Sequence, residues 1–211
     1  MDSRTAGTSG ERNGHCGADE RVTEATMTEE EPTVLIVDDE VNITELFGVW
    51  LEDEYDVRMA NSGEEALEEL DEIVDVVLLD RRMPGLSGDE VLEKIRERGY
   101  ECRVAMVTAV DPDFDVIEMG FDDYLTKPID RDGLESAIES LLERKQYDAA
   151  MQEYYALASK KAALESSKPA SELEASEEYD ELLADLTDLE AETEGKLQTE
   201  EDFESAFRDL E

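Results

Sequence analysis

From Val34 the chain alternates between short apolar runs and longer amphipathic ones. The apolar runs are rich in β-branched residues: "VLIVDD" (34–39), "YDVRMA" (55–60), "VDVVLLD" (74–80), "RVAMVTA" (103–109) and "DDYLTKP" (122–128). Between them lie segments with helical spacing at 42–51, 63–70, 87–98 and roughly 112–119, with a further one from Leu134 onward. Strands alternating with helices of this length predict βαβ units on a parallel sheet covered on both faces. Five such strands in about 110 residues suit an α/β, flavodoxin-like sheet of order 2-1-3-4-5 with helices on both faces.

Past Leu134 the pattern becomes purely helical. Leu134, Ile138, Leu141, Leu142, Tyr147, Met151, Tyr154, Ala158 and Leu164 keep helical spacing, and no Gly or Pro intervenes before Pro169. One continuous helix there would run for roughly 35 residues, or about 50 Å. "SSKPASE" (166–172) breaks the pattern, with Ser171 as the expected cap. A second stripe follows at Leu173, Tyr179, Leu182, Leu183, Leu186, Leu189 and Leu197. Two stripes around one break predict a C-terminal α-helical hairpin. A last amphipathic segment, "TEEDFESAFRDL" (199–210), starts with a capping pattern and offers Phe203, Phe207 and Leu210 for burial.

Residues 1–31 have neither period. They are rich in Gly, Ser, Thr and Glu, so a disordered acidic leader is expected. Met27 is an alternative start. His15 and Cys16 lie in this stretch without partner ligands. Cys102 lies in the patterned region, so no disulfide to Cys16 is expected. The expected division is therefore 1–31 leader, 32–143 α/β domain and 144–211 helical hairpin.

Charge narrows the partners. The 211 residues hold 60 acids and 19 bases, for a formal charge of −41. The leader contributes −5, residues 144–211 contribute −13, and the middle carries −23. Such a surface disfavours broad binding to nucleic-acid backbone or anionic membrane. It also repels itself unless salt screens it; in molar salt the Debye length is about 3 Å. Adaptation to a high-salt interior is the reading that fits. No apolar run approaches the roughly 20 residues of a membrane span, and no hydrophobic signal core precedes 32, so a cytoplasmic protein is expected.

The strand ends carry the chemistry. In an open parallel sheet, ligands bind beyond the carboxyl ends of the strands. There the first run supplies Asp38 and Asp39, the third Asp80, the fourth Thr108 and the fifth Lys127. Three carboxylates crowded on one rim would raise a pKa unless a cation offset them. Hard, all-oxygen ligation suits Mg²⁺. Asp80 then remains as a nucleophile toward a phosphoryl group, with Lys127 and the Thr108 hydroxyl placed for its oxygens. Blander roles exist for single residues: Asp38 or Asp39 as a helix cap, Tyr124 as strand packing, and Thr108 as a common strand terminator.

Five pieces in register resemble the receiver domain of two-component response regulators. They are Asp38-Asp39, "DRRMPGLSG" (80–88), "VTA" with Thr108, Tyr124, and "YLTKP" with Lys127-Pro128. The resemblance implies transfer from a sensor histidine kinase to Asp80. It implies Mg²⁺ held by Asp38, Asp39, Asp80 and the Arg82 backbone carbonyl. It also implies Thr108 and Tyr124 as a switch that moves inward, and a Lys127-Pro128 bond that is commonly cis. The Arg82 side chain is expected near the phosphoryl entrance. The tail resembles the HalX domain that follows receivers in haloarchaea.

The expected role is a phospho-acceptor switch and not an enzyme. It would act through the face made by the segment at 112–119, the fifth strand and the helix after it. Expected partners are the kinase, a downstream protein and a second copy, joined through that face or the hairpin. A DNA-binding transcriptional regulator is the alternative, disfavoured by charge. A metal-dependent phosphatase of related topology typically needs an Asp where Arg82 stands.

Overall fold

The structure, a computed structural model, describes residues 31–145, Tyr147 and 149–193. The expected leader, the alternative start at Met27, Leu197 and the final segment at 199–210 lie outside the described residues. Five strands form one parallel sheet: β1 (Thr33–Val37), β2 (Asp56–Ala60), β3 (Val74–Leu79), β4 (Arg103–Thr108) and β5 (Asp123–Thr126). Their order is β2-β1-β3-β4-β5, as the alternation of runs predicts.

Helices α1 (Val41–Leu51) and α4 (Arg131–Arg144) cover one face. There Phe47, Leu51, Leu134, Ile138 and Leu141 bury against Val34, Ile36, Val76 and Leu78. On the other face, α2 (Gly63–Glu69) and α3 (Gly88–Glu97) pack on Leu35, Val37, Val77 and Leu79. Both faces of the central strands are dry, which is why these strands read as unbroken apolar runs. Helix α3 starts on a capping box: the Ser87 hydroxyl accepts from the Glu90 amide while the Glu90 carboxylate accepts from the Ser87 amide.

Two helical expectations need correcting. Residues 112–119 do not form an α-helix; only a 3₁₀ turn, Phe114–Glu118, connects β4 to β5. Asp113 caps its first amide, and the turn ends after one and a half windings. The helical pattern after Leu134, which left one continuous helix open, is divided in two. Helix α4 stops at Arg144, and α5 (Ala149–Ser167) begins a new direction. No Gly or Pro is needed for this break. The Arg144 guanidinium lies 4.5 Å from the Tyr155 ring centroid, and Tyr147 stacks on Tyr155, so the aromatic cluster holds the reversal.

Folding back lets α5 pack against β5 and the 3₁₀ turn, where a helix at 112–119 would otherwise sit. Met151, Tyr154, Tyr155, Ala158, Ala163 and Leu164 thereby join the same apolar cluster as Val104, Met106, Phe121 and Tyr124. After the short helix α6 (Ala170–Leu173), α7 (Glu177–Thr193) returns along α5. The pair is antiparallel: Tyr179, at the start of α7, donates its hydroxyl to Glu165 near the end of α5. The cap of α7 is Ser176, whose hydroxyl accepts from the Tyr179 amide; Ser171 instead lies exposed within α6. The predicted hairpin is present, and it is built onto the sheet.

No described helix is long and apolar enough to cross a membrane.

Candidate phosphoryl-acceptor site

A parallel sheet aligns all its carboxyl ends on one rim, and the strand ends with the loops leaving them carry Asp38, Asp80, Thr108 and Lys127. Asp38 follows β1, Asp80 follows β3, Thr108 ends β4 and Lys127 follows β5. The ladders extend one step past the strands: Asp80 donates its amide to the Val37 carbonyl at 2.8 Å, and Lys127 to that of Thr108 at 2.8 Å. The backbone therefore fixes where the side chains start.

The side chains meet. The Lys127 ammonium lies between two buried carboxylates, pairing with Asp38 and lying 3.2 Å from Oδ1 of Asp80. Asp80 also accepts from the Arg82 amide at 3.0 Å, and Asp38 from the Glu40 amide at 2.9 Å. Burial works against the lysine's charge. Its hydrogen bond to Asp38 and the charge of Asp80 outweigh that, and its pKa is held above the ordinary lysine value. The Lys127-Pro128 peptide bond is cis, as the resemblance implied.

Thr108 is fully buried, and its hydroxyl accepts from the Val110 amide at 3.3 Å. Tyr124 is buried as well, donating to the Val110 carbonyl at 2.7 Å. Its ring therefore already points inward in this structure, packed beside Phe121. Asp39 and the Arg82 side chain are exposed at the mouth.

The donor set can be tested against Mg²⁺. Among the described residues, no group of three His, Cys, Asp or Glu side chains stands together as a metal cage. Two buried carboxylates nevertheless converge on one cation, Lys127, with Asp39 exposed alongside. All available donors are oxygens, so the set fits a hard divalent ion that keeps most of its waters.

Sequence reasoning passed over one residue. Arg81, not Arg82, is the arginine built into the fold. Its guanidinium donates to Asp89 at 3.1 Å and pairs with Asp115 on the 3₁₀ turn. Burial acts against its charge, but those carboxylates hold it protonated beyond the usual arginine value. Local pattern offered no signal for it, because Arg81 lies past the end of β3 and its partner Asp115 is 34 residues away. Gly85, with φ +79°, makes the turn that follows, where a β-carbon would be strained. Cys102 is buried and free, and burial pushes its thiol pKa up.

Comparison with known proteins agrees with this geometry. The family model described as the response regulator receiver domain matches residues 34–139, and that of the HalX domain matches residues 143–207. A Haloferax volcanii protein named as a transcriptional regulator is 46% identical over 172 residues, covering 81% of this chain and 29% of its own. The alkaline phosphatase synthesis transcriptional regulatory protein PhoP of Bacillus subtilis is 37% identical over 121 residues, 55% of this chain and 50% of that one. The chain thus spans about half the length of its bacterial relative and under a third of the haloarchaeal one. A solved receiver domain from Clostridium thermocellum is 31% identical with a TM-score of 0.51, covering 55% of this chain and 97% of that one. One from Methanospirillum hungatei is 27% identical with a TM-score of 0.51, covering 55% and 96%. The chain belongs to the response regulators, as a receiver domain followed by a HalX domain.

Proposed function

We propose that Asp80 accepts a phosphoryl group from a sensor histidine kinase and that the receiver thereby switches the helices that follow it. The observation that carries this reading is the Lys127 ammonium shared by Asp38 and Asp80 on the strand-end rim. A carboxylate oxygen of Asp80 attacks the phosphorus of the kinase's phosphohistidine in line; the new O–P bond forms as the P–N bond breaks, and the histidine imidazole leaves with the bonding electron pair. Lys127 then loses part of its pairing to Asp80 and gains the phosphoryl oxygens, while the Thr108 hydroxyl, one strand away, donates to them. Asp38, Asp39, Asp80 and the Arg82 carbonyl are the groups that would hold Mg²⁺. When bound, the ion neutralises charge shared between carboxylate and phosphoryl oxygens.

Phosphorylation then biases a two-state equilibrium of the β4–β5 side, through Thr108 and Tyr124. Output through protein contacts, with a partner or a second copy, suits the −13 carried by residues 144–211. One observation favours a second reading, control of transcription: relatives over this length bear names of transcriptional regulators. Mobility shift of DNA at molar KCl by the phosphorylated chain separates the two readings. Hydrolase chemistry of the phosphatase kind is disfavoured by Arg82 at the position where it typically requires an acid.

The test of the acceptor is direct. Incubation with acetyl phosphate and Mg²⁺ in high salt should add one phosphoryl mass to the wild-type chain and none to Asp80→Ala. Equal labelling of the two proteins refutes the assignment.

A further inference from the structure

The hairpin rests on β5 and on the short 3₁₀ turn before it, and that turn also reaches the loop after Asp80. On its strand side, the 3₁₀ turn offers Asp115 to Arg81, the residue directly after Asp80. Arg81 also donates to Asp89 at the start of α3. On its outer side the turn carries α5. The Lys160 ammonium donates to the Ile117 carbonyl at 2.9 Å and lies 5.3 Å from the Phe121 ring centroid. Lys168 lies 2.9 Å from Asp113 and 4.8 Å from the Phe114 ring centroid. The Ser159 hydroxyl donates to Asp123 on β5.

These two sides differ in strength. Asp115 is 55% exposed, so its bond to Arg81 is the kind that solvent and salt weaken. Lys160 is 94% buried, with the Ile117 carbonyl as its hydrogen-bond partner. Burying an ammonium in this way is costly, and the desolvation lowers its pKa. Part of the docking of the hairpin, beside its packing on β5, therefore rests on a turn whose other side is held by an exchangeable ion pair.

We propose that Arg81 is a positioning residue that latches the hairpin to the receiver, by pinning the 3₁₀ turn on which α5 rests, and that phosphorylation of Asp80 releases the latch. The added negative charge arises one residue from a guanidinium shared between Asp89 and Asp115, and it competes with them for that charge. With Asp115 surrendered, the turn loses its anchor, and the Ile117 carbonyl and Asp113 no longer meet Lys160 and Lys168. The hairpin then loosens and presents the faces of α5 and β5 that it covers. This release rests on Asp80 being the acceptor; the pinning by Arg81 does not.

Hydrogen exchange on the full chain in high salt tests both parts. Peptides from α5 and from the turn are compared with peptides from α2, which lies outside the latch. Arg81→Gln, and separately Asp115→Asn, should speed exchange in α5 and the turn by about 1.5- to 5-fold, the worth of an ion pair with one exposed partner. Exchange in α2 should stay unchanged, which excludes general unfolding. Acetyl phosphate with Mg²⁺ should produce the same pattern in the wild-type chain, with the phosphoryl mass recorded on the same sample. Wild-type rates in α5 of Asp115→Asn overturn the pinning. A phosphorylated chain with unchanged α5 exchange overturns the release while leaving the acceptor reading intact. A chain that takes no phosphoryl mass overturns the acceptor reading and the release, and leaves the pinning to the variants.

Discussion

The Lys127 ammonium bridges Asp38 and Asp80, 3.2 Å from Oδ1 of the latter, across the carboxyl ends of β1, β3 and β5. Removing it would leave two buried carboxylates facing each other. Lys127→Met should therefore cost about 3–5 kcal/mol in denaturant unfolding, the usual cost of breaking a buried pair from one side. Mg²⁺ should restore more stability to this variant than it adds to the wild type, because the ion replaces the missing positive charge. An unaltered unfolding midpoint would show that the acids are balanced in some other way.

Gly88 sets the distance between α3 and the acceptor loop. A β-carbon there would lie 2.1 Å from the Asp80 carbonyl oxygen and 2.9 Å from the Arg81 Cα, both backbone atoms that cannot swing away. Gly88→Ala should lower stability by about 1–3 kcal/mol through overpacking. Phosphoryl labelling of Asp80 should fall as well, since the loop must move; labelling at the wild-type rate would show that it does not.

The hairpin completes one face of the sheet. Val116, Phe121 and Tyr124 are buried in the cluster that α5 joins, and a chain ending at Arg144 would bare them. Such a truncation should lose at least about 3 kcal/mol, the contribution of roughly two buried side chains of this size. Unfolding of the truncated chain, followed by circular dichroism in molar KCl, reads this out. Full stability after truncation would make the boundary between the two domains a true folding boundary.

Tyr179 and Glu165 hold the hairpin at its turn end. Burial, together with the hydrogen bond to Glu165 and its charge, pushes the Tyr179 phenol up to about 12. The folded pKa exceeds the ordinary value of 10.0, so the folded state holds the proton more tightly. Stability from this pair is therefore complete below pH 10 and is lost as pH rises toward about 12. Glu165 has the opposite sign. Burial would raise its pKa, but its bonds from Tyr179 and Lys161 lower it, so its stability is lost as acid protonates it. The phenolate absorbance difference between wild type and Tyr179→Phe should titrate near 12; a midpoint at the ordinary value would dissolve the pair.

A charge of −41 on 211 residues predicts a strong salt requirement. The thermal midpoint should rise steadily between about 0.1 M and about 1 M KCl, as the screening length falls from about 10 Å to about 3 Å. A flat profile, with full stability in dilute buffer, would mean that these acids do not repel one another enough to matter.

The sequence alone determined the sheet and most of the rim. Short β-branched apolar runs such as 74–80, alternating with helical segments, read as strands buried on both sides, and a sheet whose strands are all parallel brings their carboxyl ends to a single edge. Asp38, Asp80 and Lys127 thus met, with Thr108 ending the strand between, because of chain direction, which local pattern reveals. Only the tertiary structure decided where the helices beyond Leu134 go. Helical periodicity is the same whether a helix continues past Arg144 or turns back at Tyr147, since the choice depends on a sheet surface near β5 far away in sequence. The same reason hid Arg81 and Lys160: each is defined by partners (Asp115, Ile117) more than thirty residues distant, and no spacing rule reaches that far.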